Sequence, residues 1–124
     1  MLPPPAATAR SSVVAASALT FSAALARGEV FLRAGTPDTA MADATRALEV
    51  ARSLQGGKPY SSLTGQSLLL EARIQEVRGD HAATRDMAGQ ALPNLVETLG
   101  EEHPDARRAA AYAHDVRGSG SADW

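Results

Sequence analysis

The chain has 124 residues, 44% of them hydrophobic and 4% aromatic, with a formal net charge of −2 and no cysteine. That length supports one domain with a core of its own. The lack of cysteine excludes disulfides, thiolate nucleophiles and cysteine-based zinc sites, and mild acidity without a basic stripe speaks against a nucleic-acid partner.

Alanine is about a fifth of the chain, and a sheet protein would carry more valine, isoleucine, threonine and aromatics. The expected fold class is all-α. No run reaches the ~18 continuous apolar residues of a membrane span, so none is expected.

Residues 1–10, MLPPPAATAR, are rich in proline and alanine and predict a disordered lead-in. A first helix is expected over residues 11–34. The stretch SSVVAASALTFSAALA after Arg10, with Ala24-Leu25-Ala26 as a small-residue site, also has the outline of a secretory signal. Three consecutive prolines and a single charge ahead of it fit that reading poorly, so a buried helix is preferred.

Gly35 ends the first helix. Thr36-Pro37-Asp38 then opens a second, to residue 54, with Thr36 of N-cap type. A third spans residues 61–78, and Gly79-Asp80 makes the next turn. A fourth spans 81–99 and a fifth 104–116. The tail 117–124, RGSGSADW, is expected to be loose, with Trp124 at an unburied end. The repeat domain is therefore placed at 11–116.

Periodicity supports these helices. Ala40, Ala44, Ala47, Leu48 and Ala51 recur at three- and four-residue steps, as do Leu70, Ile74 and Val77, then Leu92, Leu95, Val96 and Leu99. Asp43 with Arg46, and Glu49 with Arg52, are expected to pair on the solvated side. Pro93 removes a hydrogen bond to the carbonyl of Gly89, which predicts a bend over residues 89–93, with a break as the second possibility.

The chain also repeats itself. Gly35 and Gly79 lie 44 residues apart, as do Ala44 and Ala88, Ala47-Leu48 and Ala91-Leu92, Leu25 and Leu69, Val30 and Ile74. At an offset of 45, Leu54 matches Leu99 and Lys58-Pro59 matches His103-Pro104. LQGGKPYSSL and LGEEHPDARR thus read as one junction used twice. Gly56 and Gly100 suit left-handed caps, and Pro59 and Pro104 suit the first turn of a new helix. Asp105 then sits favourably near a helix N-terminus.

Two helices per unit with this spacing resemble the tetratricopeptide repeat superfamily. Gly28, Phe31, Gly35, Ala40, Ala44 and Ala47-Leu48 stand at the family's offsets in the first unit; in the second, Ala72, Gln75 and Thr84 depart from them. The junction LGEEHPD is similar to that of the longer, kinesin-light-chain-like variety. The resemblance implies about five antiparallel helices: two hairpin repeats and a capping helix wound into a right-handed superhelix. It also implies a concave groove, lined by the first helix of each unit, that holds a protein or peptide. On that expectation the groove presents Leu25, Glu29, Leu32 and Arg33 from the first helix and Gln66, Leu69, Arg73 and Glu76 from the third. Arg33 and Arg73 suit a partner's carboxylate. The family's carboxylate clamp of lysine and asparagine has no match at these positions.

No constellation points to catalysis, a metal or a cofactor. His81 and His103 read as turn residues, and His114 and Asp115 diverge by about 100° on a helix. Gly56-Gly57-Lys58 lacks the spacing, the following hydroxyl and the strand of a phosphate loop. The leading expectation is a non-catalytic binding module, cytoplasmic, with a homodimer as a compatible assembly because two units and one helix are close to the minimum for a repeat protein. The alternatives are a helical bundle self-associating through its apolar first helix, and a secreted or periplasmic protein with a cleaved leader.

Overall fold

Alanine-rich runs separated by glycine turns fold as expected into helices. The computed structural model describes residues 6–114 as α1 (Ala6–Arg33), α2 (Pro37–Gln55), α3 (Ser62–Arg78), α4 (His81–Leu99) and α5 (Pro104–Ala113), with no strand among them. The expectations for residues 1–5 and 115–124 lie outside the described residues. Helix α1 starts five residues ahead of the expected position, so residues 6–10 are helical rather than loose; Ala6, Ala7 and Ala9 are strong helix formers. Helix α5 ends at Ala113, with His114 as its cap.

The duplication is visible atom by atom at the two tight turns. Gly35 has φ +83° and Gly79 φ +82°, the left-handed region that glycine enters without a Cβ penalty. The amides of Gly35 and Thr36 donate to the carbonyls of Leu32 and Phe31; those of Gly79 and Asp80 donate to Glu76 and Gln75. Each donor and acceptor is displaced by 44. This pairing satisfies carbonyls otherwise orphaned at a helix end. The starts that follow differ. Asp80 caps α4 by accepting from the Ala83 amide, whereas Thr36 makes no side-chain cap and its hydroxyl donates back to Phe31.

The longer junctions also correspond, through Lys58 N–H to Gln55 and His103 N–H to Gly100, offset by 45. They part company at the prolines. Pro104 is the first residue of α5, with the His103 ring accepting from the Asp105 amide. Pro59 lies in the loop, and α3 begins only after Ser61, whose hydroxyl accepts from Thr64. Asn94 of α4 reaches across to accept from the Ser61 amide and ties down that entry.

Short connections fold α1 on α2 and α3 on α4. Helix α2 packs on α3, α5 packs on α4, and α1 and α5 each touch α3 on one side of the molecule. Burial repeats with the sequence: Ala40, Ala44, Ala47 and Ala51 of α2 and Thr84, Ala88, Ala91 and Leu95 of α4 are all at 1% exposure or less. Alanine lets these backbones approach closely. Two glycines go further. A Cβ on Gly28 would lie 2.8 Å from a Leu70 methyl, and one on Gly65 2.8 Å from both Cγ and Cδ2 of Leu95.

Several expected surface features turn inward or move. Asp43 is 9% exposed and pairs with Arg27 of α1 at 3.6 Å, not with Arg46, because its helix face meets α1. Val77 is exposed near the end of α3. Helix α4 runs unbroken through Pro93, so no break occurs; the proline and Gly89 both lie on the exposed side.

Candidate functional site

The side of the molecule where α1, α3 and α5 meet forms a small depression of about 100 Å³. Its floor is apolar: Leu25 of α1 with Leu69 and Leu70 of α3. The walls are polar. Arg73 Nη1 lies 3.4 Å from Glu29 Oε1, and Gln66 Nε2 donates to Asp105 Oδ2 at 3.4 Å. Arg108 completes the rim from α5.

Five of the eight residues expected in the groove come together here: Leu25, Glu29, Gln66, Leu69 and Arg73. Their roles differ from expectation in one respect. Leu69 is 3% exposed and Leu32 is 9% exposed, so both belong to the core and neither offers a free apolar contact. Arg33 stands beside the depression and holds Glu29 at 3.9 Å, one helical turn away. Glu76 lies apart, with its carboxylate 3.2 Å from His81 Nδ1.

Asp105 and Arg108 were not anticipated. The available signal was the duplication itself: a third unit starting at Pro104 sets its first helix beside α3, just as α3 lies beside α1.

Most of these polar groups are engaged with one another. Glu29 is shared by Arg73 and Arg33, and Asp105 is held by Gln66. Arg73 is mostly buried, at 21% side-chain exposure, so its guanidinium is fixed rather than freely solvated. A depression of 100 Å³ is well below the roughly 300–1,000 Å³ of small-molecule sites and suits a single side chain.

A larger and more open depression, about 350 Å³, lies at the α2–α3 junction beside Lys58 and Tyr60. A third, about 220 Å³, is bordered by Ala23, Arg27 and Asp43.

Among the described residues, no group of three or more histidines, aspartates or glutamates is placed to hold a metal. His103 serves as a helix cap through Nδ1. Among the described residues, the carboxyl of Glu71 of α3 is raised above its ordinary value by burial, with Arg52 opposing the shift. It lies outside the depression.

No protein-family model, curated protein or solved structure matches the chain.

Proposed function

We propose that the chain is a non-catalytic binding module of the tetratricopeptide-repeat kind, holding a protein or peptide segment against α1, α3 and α5. The observation that carries this reading is the side-chain-sized depression with a leucine floor and a fixed arginine, Arg73, at its wall. A partly buried guanidinium already held by its neighbours loses little freedom when it takes a second carboxylate. An acidic side chain, or a chain-terminal carboxylate, exchanging with Glu29 on Arg73 and reaching Arg108 is the interaction this arrangement favours. The repeat assignment draws support from the matching turn hydrogen bonds at Gly35 and Gly79 and the matching burial of α2 and α4.

The test is selection from a random peptide library displayed on phage, using the full chain as bait. Enriched peptides are expected to share an acidic residue, with affinity falling at least about tenfold on Arg73→Ala or Arg108→Ala. Enriched peptides that bind both variants as tightly as the parent would remove the groove assignment.

A further inference from the structure

On its outward side α1 carries a seam of Ser12, Ala16, Leu19, Ala23, Ala26 and Val30. The steps alternate between four and three residues, the spacing that keeps a stripe in line along a paired helix, and no member is charged. All six are exposed, Leu19 at 72% and Val30 at 59%.

A shift of 44 residues turns the last four into Leu63, Ser67, Leu70 and Ile74 of α3. There the same face is buried against the first hairpin. Ser67, Leu70 and Ile74 are at 1% exposure or less. Leu63 packs on the cluster of Phe21, Ala24, Ala47 and Ala51, and Leu70 and Ile74 pack with Leu32, Ala40 and Ala44. The face that joins one hairpin to the next is therefore present twice, and in α1 the described residues leave it bare.

Two features say what covers it. First, copies cannot simply stack end to end. The surface of the first hairpin that receives α3 has its counterpart on α3 and α4, and α5 already occupies that counterpart through Ala106 and Ala109. Second, the seam is complementary to itself. In an antiparallel pair with a two-fold axis beside residue 21, each position meets its mirror. Leu19 faces Ala23 of the partner subunit, Ala16 faces Ala26 of the partner subunit, and Ser12 faces Val30 of the partner subunit. The large side chains meet small ones, as interdigitation requires. The charges flanking the seam are Arg27, held by Asp43 and lying over the Phe31 ring, and Arg33, held by Glu29; in this arrangement the two copies of each sit at opposite ends. Parallel pairing instead sets Leu19 and Val30 each against its own copy and leaves Ala16, Ala23 and Ala26 each facing alanine.

We infer that the chain forms a two-fold homodimer through antiparallel packing of the α1 seam. None of the six seam residues lines the depression beside Leu25 and Glu29, so the inference stands apart from the groove.

The chain has no cysteine, so introduced cysteines report cleanly. Full-length Leu19→Cys and Ala23→Cys, mixed and oxidised, are expected to form the mixed disulfide, and Val30→Cys alone is expected not to link to itself. By sedimentation equilibrium the parent is expected to be dimeric at tens of micromolar. Leu19→Glu and Ala23→Leu, at exposed positions, should each weaken association at least about tenfold with helicity by circular dichroism unchanged. Four results overturn the proposal: a monomer at every concentration up to about 1 mM, self-linked Val30→Cys, a dimer indifferent to both substitutions, or a chain monomeric in water that binds phosphatidylcholine vesicles. The last is a defined competitor, since Ser12–Arg33 is long and apolar enough to cross a membrane by length and composition.

Discussion

Glu29 and Arg73 occupy the same place in successive hairpins, 44 residues apart, and form an ion pair at 3.4 Å. The repeat thus placed opposite charges at equivalent positions of neighbouring helices, α1 and α3, where identical charges would repel. The pair bridges two elements that otherwise touch little, and it borders the proposed binding depression.

A double-mutant cycle of Glu29→Ala and Arg73→Ala should give a coupling of about 0.5–1 kcal/mol, since Glu29 is 37% exposed and solvent screens the pair. The charge-swapped protein, Glu29→Arg with Arg73→Glu, should recover most of the stability lost by either reversal alone. Urea unfolding followed by circular dichroism measures both. A swap no better than the single reversals would show that the pair contributes nothing.

Gly65 and Gly89 should respond oppositely to alanine. At Gly65 the new methyl meets Leu95 at 2.8 Å on Cγ and the Asn94 Cβ at 3.1 Å, and Leu95 is fully buried with no room to retreat. Gly65→Ala is expected to destabilise by about 1–3 kcal/mol despite its better helix propensity. A methyl on Gly89 meets nothing within 4 Å, so Gly89→Ala should stabilise by roughly 0.5–1 kcal/mol. Thermal melts of the two variants decide it.

The left-handed turns at Gly35 and Gly79 should behave as a matched pair. Each has φ above +80° and open space around its Cα, so alanine suffers from backbone conformation and not from collision. Each substitution should cost about 1 kcal/mol, equal within error. A large inequality between them in denaturant midpoints would mean that the two turns carry different loads despite matching backbone hydrogen bonds.

Glu71 makes stability depend on pH. Burial raises its carboxyl in the folded protein, against the pull of Arg52, so the folded state holds the proton more tightly than the unfolded chain. The contribution is therefore fully present below the ordinary carboxylate value and is lost as pH rises through the raised folded value. Glu71→Gln should be more stable than the parent at pH 7, with the difference vanishing below about pH 4. A constant difference across that range would assign the effect to packing.

Much of the architecture was legible because it depends on local chemistry. Gly35 and Gly79 stop helices by conformation alone, and the alanine ladder of α2 fixes its buried face without reference to any neighbour. Other features depend on neighbours that sequence does not display. Pro59 and Pro104 look alike in the chain, yet only Pro104 opens a helix, because Asn94 holds the amide of Ser61 and sets the start of α3 there. Leu69 reads as a groove residue from helical spacing, but α5 arrives over it and draws it into the core with Ala106 and Ala109. The same arrival brings Asp105 and Arg108 to the site. Asp43 reads as solvated until α1 supplies Arg27.

Each helix leans chiefly on the one before and the one after it in the chain, so the polypeptide can assemble by zipping along its length without closing long loops. Helix α3 is the exception, touched by all four others. Its amides should therefore be the last to exchange with deuterium, and α1 and α5 the first to open, giving a molecule that loosens from its ends inward around one slow central rod.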